Sequence, residues 1–279
     1  MWNKILGLDR RWIFLLTAVC IILPFILPMG LPMQVSPPVQ NLYDKIDAIP
    51  PNGPALVLDF NCDASTLPEL GPMAIAILQQ CFKKNIKVIL MGLSMPGVGI
   101  AQAMLEEVKV KFPDKQNGID YVLMPYVVGF GIVVLRMGED IHKTFETDYY
   151  GTPLDSLPMM QGIHNYDQIA LVVCLTGSVT PWIAFANTRY GQEIGLGVTA
   201  VMAPEAYPYL QTNQVVGMIG GLKGAAEYET LLNKNLGFEG RKTACIGMDS
   251  QSIVHIVMIL FIILGNIAYF ATKKRVSNT

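Results

Sequence analysis

Two hydrophobic patterns share this chain, and they call for different solvents. At the ends, residues 12–31 (WIFLLTAVCIILPFILPMGL) and 253–271 (IVHIVMILFIILGNIAYFA) run without a Lys, Arg, Asp or Glu. Each is long enough to cross a bilayer as a helix. Between them, short apolar runs alternate with amphipathic stretches: ALVLDF (55–60), LPELGPMAIAILQQCFKKN (67–85), IKVILMG (86–92), GVGIAQAMLEEVKVKF (97–112) and IDYVLMPYV (119–127). The alternation resumes with QIALVVCLTG (168–177), a helix over 180–191, a strand over 194–202 and a helix from about Pro204. Near-continuous apolar strands separated by helices predict a parallel sheet covered on both faces. The expected class is α/β, doubly wound, with two halves that repeat the same order of elements. Residues 121–135 are also uncharged, but Pro125, Gly129 and Gly131 interrupt them and Asp120 and Arg136 bracket them. They read as a buried strand and the start of a helix, not as a third crossing.

These patterns divide the chain into a cytoplasmic start (1–11), a first span (12–31), a Pro-rich linker (32–54), an α/β domain (55–250), a second span (253–271) and a tail (272–279). The first apolar run exceeds the core of a signal peptide and no A-x-A-like site follows it, so it reads as an uncleaved anchor. Lys4, Arg10 and Arg11 precede the first span, and Lys273, Lys274 and Arg275 follow the second. The positive flanks predict both termini in the cytoplasm and the domain outside the cell membrane.

Composition sharpens the partner classes. The chain is 52% apolar and 15% charged, with a mean hydropathy of +0.40. Of 20 Lys and Arg and 22 Asp and Glu, six bases and one acid lie in the termini and their flanks, which leaves 14 against 21. A net charge near −7 on the intervening region excludes nucleic acid as the expected partner. The expected partners are the lipid bilayer, a second copy of the chain or other membrane proteins. None of the five cysteines forms a C-x-x-C pair, and no two of the three histidines have metal-helix spacing. No metal and no cofactor is expected.

In an open parallel sheet, ligands bind beyond the carboxyl ends of the strands. The first such turn, DFNCDAS, holds Asp59, Asn61 and Asp63. Alternating oxygens there suit a hard cation, but the calcium loop with its glycine and terminal Glu is missing, and Asp63 or Ser65 equally suits a helix cap. The second turn, MGLSMPGVG, holds Ser94. A nucleophile elbow requires G-x-S-x-G, and Pro96 stands at its last position. Gly97 and Gly99 begin a dinucleotide fingerprint that Gln102 breaks. The third turn, LTGSVTPW, supplies Thr176 and Ser178, as caps or as the far wall of a small-ligand cleft. The connection TDYYGTPLDSLPMMQGI (147–163) is long and irregular, and its Tyr149, Tyr150, Met159 and Met160 suit either a contact surface or a cover for the sheet.

Residues 211–232 (QTNQVVGMIGGLKGAAEYETLL) read as helix, with Gly217, Gly220, Gly221 and Gly224 inside it. Gly217, Gly221, Gly224 and Tyr228 would share one face. Small residues at such spacing allow a neighbouring backbone to come close, within the domain or across a subunit interface. His255 and Asn266 fall within the second span and would be satisfied by another helix. The absence of a complete catalytic motif favours a non-enzymatic subunit that acts in assembly or recognition within a membrane complex. The rival is a membrane-anchored hydrolase or ligand-binding enzyme with its site at the carboxyl edge of the sheet.

Overall fold

The computed structural model describes residues 9–27, 29–176, 181–238 and 243–276. It separates into two compact units, one made of Met1–Pro32 with Cys245–Thr279 and the other of Met33–Ala244.

The first unit holds helix α1 (Arg10–Ile26) and most of helix α10 (Thr243–Val276). Asp9 caps α1 by accepting from Arg11 N–H at 3.0 Å. The helix ends where Leu27 leaves helical geometry, because the residue before a proline, here Pro28, is pushed away from it. Its 17 residues reach roughly 26 Å, short of a hydrocarbon core of about 30 Å. The span expected over 12–31 is therefore a shorter helix. Among the described residues one helix is long and apolar enough to cross a membrane, Thr243–Thr272, with a mean hydropathy of 2.4. The helices are joined by Ser250 Oγ donating to the Ile21 carbonyl at 2.9 Å and by buried Asp249 accepting from Gly30 N–H at 2.9 Å and Leu31 N–H at 3.2 Å.

The second unit begins where a linker was expected. Residues Pro37–Asp47 form helix α2, with Val39, Leu42, Tyr43 and Ile46 buried. The two prolines that resemble linker composition occupy the first turn, where a missing N–H costs nothing, and the buried positions follow helical spacing. Strand β1 (Ala55–Asn61), helix α3 (Leu67–Lys83), strand β2 (Val88–Met91), helix α4 (Met95–Lys109) and strand β3 (Tyr121–Leu123) make the first half. Helices α5 (Phe130–Met137) and α6 (Ile141–Thr144) and three 3-10 turns lead to strand β4 (Ile169–Thr176). A π-helical stretch, Trp182–Asn187, runs into α7 (Thr188–Tyr190). Then come β5 (Ile194–Val198), α8 (Ala203–Gln211), β6 (Val215–Gly220) and α9 (Gly221–Leu236).

The six strands are all parallel, in the order β3-β2-β1-β4-β5-β6. That is the doubly wound order, with its reversal between β1 and β4. Both central strands are buried along almost their whole length, as a sheet covered on two faces requires. Residues 121–135 resolve into β3, a turn and the start of α5, as the bracketing charges predict. In the irregular connection Met159 and Met160 are buried in the core, whereas Tyr149 and Tyr150 are exposed.

The glycine-rich segment corrects the sequence reading. It is strand β6 followed by helix α9, so Gly217 and Gly221 share no helical face. The β-branched residues Val215, Val216 and Ile219 favour the strand. Each glycine also has a local reason. A Cβ on Gly217 would lie 2.4 Å from Leu42 N, because α2 crosses β6 closely. Gly221 has φ +59, and a Cβ on it would lie 2.8 Å from Ala200 Cβ. A Cβ on Gly220 would meet Ala203 Cβ at 3.3 Å, and one on Gly224 would meet Ile219 at 3.0 Å. Tyr228 is buried and donates to Gln80 Oε1. The close contacts of all five residues are thus made within this unit.

Candidate functional site

The reversal between β1 and β4 leaves a crevice at their carboxyl ends, because the crossovers from the two strands run to opposite sides. A cleft of about 440 Å³ opens beside it, between the turns after β1 and β2, lined by Asn61, Cys62, Asp63, Ser65, Thr66, Ser94 and Pro96. Asn61 ends β1 and its Nδ2 donates to Thr176 Oγ1, at the end of β4, at 3.4 Å. Sequence reasoning placed Asn61 and Asp63 on one turn, Ser94 on a second and Thr176 on a third; the cleft joins the first two turns, and Thr176 meets Asn61 from its buried side. Ser178 lies outside the described residues.

Asp63 organises the floor of the turn. Its Oδ1 accepts from Ser65 N–H at 2.8 Å, Ser65 Oγ at 2.6 Å and Thr66 N–H at 3.3 Å. These bonds favour the charged form, so the carboxyl is held below its ordinary range. The turn delivers the chain into α3, whose N-cap is Thr66. Asp63 thus serves the start of the helix through its Oδ1, which accepts all three bonds.

Asp59 is wholly buried beneath the cleft and does not line it. Three donors converge on its carboxylate: Leu93 N–H at 3.1 Å from the turn after β2, Cys174 Sγ at 3.2 Å from β4, and Trp182 Nε1 at 2.7 Å from the π-helical stretch. Burial nevertheless pushes the carboxyl up to about 6, against the lowering effect of those bonds. Asp59 ties the two halves together below the site. Sequence reading found Asp59 but not Cys174 or Trp182, because partners more than a hundred residues apart leave no local spacing.

Among the described residues, no base accompanies Ser94 in the cleft. The Ser94 hydroxyl donates to the Cys62 carbonyl at 3.5 Å, the limit of a hydrogen bond. Neither outer histidine serves it: His142 Nδ1 faces Asp155 at 2.6 Å, and its ring stacks on His164 with centroids 5.0 Å apart. The Cys62 thiol is pushed up to about 12, first by burial and then by Asp59 and Asp63, so it is not a thiolate nucleophile. The turn after β1 holds no glycine, unlike a dinucleotide loop. Gly97 has another task, since α4 starts so close to β1 that a Cβ there would lie 1.8 Å from the Phe60 carbonyl oxygen. Among the described residues no group of three or more His, Cys, Asp or Glu could hold a metal ion.

His255 and Asn266 are exposed on α10, and Asn266 Nδ2 donates within its own helix, to the Ile262 carbonyl at 2.9 Å. The chain matches no protein-family model, no curated protein and no solved structure. What the site does must therefore be argued from its own chemistry.

Proposed function

We propose that this protein is a membrane-anchored, extracytoplasmic α/β subunit that recognises a small polar ligand in the cleft at the carboxyl ends of β1 and β2, without transforming it. The observation that supports the reading is the convergence of Asn61, Asp63, Ser65, Thr66 and Ser94, from the turns after β1 and β2, on one cleft, with Asn61 held from behind by buried Thr176. The cleft offers amide and hydroxyl groups and one carboxylate, so it suits a neutral polyhydroxylated or a cationic ligand and disfavours an anion. In this reading α10 is one anchor, the whole apolar run 12–31, of which α1 is the helical part, is the other, and both termini lie in the cytoplasm. The positive flanks of the two apolar runs support that orientation.

The assembly reading draws on the same anchors, but the glycines that motivated it make their contacts inside the domain. The hydrolase reading has Ser94 without a base.

Thermal unfolding of the detergent-solubilised full chain tests the proposal, with N-acetylglucosamine as the neutral probe, choline as the cationic probe and phosphate as the anionic control. A ligand that binds only the folded state raises Tm with its concentration. At least one of the first two should do so, and Asn61→Leu, which fills the cleft, should abolish the shift. No shift from either, or a shift that survives Asn61→Leu, defeats the proposal.

A further inference from the structure

A second cavity of about 440 Å³ lies at the opposite edge of the sheet from the cleft, before the starts of β4 and β5. Its walls include Gly138, Asp167, Tyr190, Gly191, Gln192 and Glu193. Gly138 follows the last residue of α5 and Gly191 follows the last residue of α7, so two helices bring their carboxyl ends to this cavity. Such an end carries partial negative charge and favours a cation. Asp167 and Glu193 add two carboxylates to the same wall.

The protein's own bases do not use up these acceptors. Lys45 Nζ holds both oxygens of Glu193, at 2.7 and 2.6 Å, and Arg189 stands 3.8 Å from Glu139. Asp167 donates its N–H to Asn165 Oδ1 at 2.7 Å, which fixes the residue, but among the described residues its carboxylate has no hydrogen-bond or ion-pair partner. A second acceptor is also open. Gln192 is only 6% exposed, and its Nε2 donates to the Ile169 carbonyl at 3.4 Å and the Glu193 carbonyl at 3.3 Å. Two facing carbonyls decide which end of the amide is nitrogen. Its Oε1 has no partner, yet among the described residues the unpartnered side-chain atoms sealed from solvent belong to Tyr43 and Asn117. The oxygen therefore opens on the cavity that Gln192 lines.

We infer that this cavity is a binding site for an aliphatic primary amine in its ammonium form. The free carboxylate of Asp167 and the two helix ends call for positive charge. Gln192 Oε1 and the Asp167 oxygens are acceptors only, so the ligand must bring N–H donors, which an ammonium group has and a quaternary ammonium lacks. The cation is organic, because among the described residues no group of three or more His, Cys, Asp or Glu could hold a metal ion. Tyr190, whose hydroxyl donates to the Leu135 carbonyl at 2.9 Å, gives the alkyl part a fixed aromatic wall. The volume suits a small organic molecule. The inference rests on these residues alone and does not depend on a ligand in the cleft between the turns after β1 and β2.

The test is isothermal titration calorimetry of the detergent-solubilised full chain with putrescine, near pH 7. The chain carries Asn61→Leu, so the cleft of the proposed function is filled and any binding belongs elsewhere. Putrescine should saturate one site with a Kd of about 1 mM or tighter. Choline, which has the charge without N–H donors, should bind about tenfold more weakly or worse. Asp167→Asn removes the charge of an exposed side chain and should weaken putrescine by about tenfold or more with the fold intact by circular dichroism. Gln192→Met keeps the volume, removes the buried acceptor and should weaken it in the same direction. Absence of saturable binding overturns the inference. So does an affinity unchanged by Asp167→Asn, or choline bound as tightly as putrescine, since either would reduce the effect to the general charge of the surface. None of these outcomes bears on the cleft, whose own test uses Asn61 as the variable.

Discussion

Asp59 offers the most exacting check of the site's construction, because its burial and its bonding pull in opposite directions. A carboxyl raised from 3.8 to about 6 by burial costs the folded state on the order of 3 kcal/mol once it is ionised. The sign follows from proton counting. Between those two values the folded state holds a proton that the unfolded state has released, so stability falls as pH rises through the window. Below it both states are protonated and the cost is absent; above it the cost is fully present. Asp59→Asn abolishes this titration. It also sets an amide NH2 against a donor, either Leu93 N–H or the pair from Cys174 and Trp182, which costs about 1–3 kcal/mol at every pH.

The measurement is urea unfolding of the detergent-solubilised full chain, wild type beside Asp59→Asn, read by near-ultraviolet circular dichroism and protease sensitivity. Near pH 4.5, where about 1 kcal/mol of the ionisation cost is already present, the wild type should be the more stable by about 0–2 kcal/mol, and near pH 7.5 its advantage should shrink or reverse by a further ~2 kcal/mol. A difference that stays constant across this range refutes the reasoning. It would mean that the three donors fully offset the desolvation and that Asp59 is ionised throughout.

Other predictions follow from packing and topology. Gly97→Ala should destabilise the domain by about 1–3 kcal/mol or more, because the Phe60 carbonyl blocks the added methyl, whereas Gly99→Ala in the same helix meets nothing within 4 Å and should gain up to about 1 kcal/mol; urea midpoints of the two variants compare them directly. Glu227 is buried and accepts from Ser36 N–H at 3.0 Å and from Lys223, so Glu227→Ala should cost about 1–3 kcal/mol and speed hydrogen exchange in α2, while unchanged exchange there would show that α2 is held by its apolar face alone. Gly221→Leu should lower stability without altering the mass of the solubilised particle, since φ +59 and Ala200 oppose the side chain inside the domain; a smaller particle with an intact fold would restore the intersubunit reading. Tags at either terminus should resist protease added outside intact cells, and cleavage of either would overturn the proposed orientation.

The sheet was legible from sequence because its strands are short, apolar and separated by helices of a different period. Buried parallel strands have no polar face to confuse the reading. The errors arose where one residue type serves two structures. Pro37 and Pro38 belong to linkers and to first helical turns, and only the burial of Val39, Leu42, Tyr43 and Ile46 decides between them. Gly217 sits in a strand because α2 crosses it, a contact between segments about 175 residues apart that no local window contains. The site shows the same division. Its polar residues were readable turn by turn from the rule that ligands bind beyond carboxyl ends, yet which turns meet depends on strand order. With β1 beside β4, Asn61 reaches Thr176 and Asp59 reaches Trp182. Had β1 and β4 been separated by another strand, Asn61 would lose Thr176 and Asp59 would lack the donors from Cys174 and Trp182.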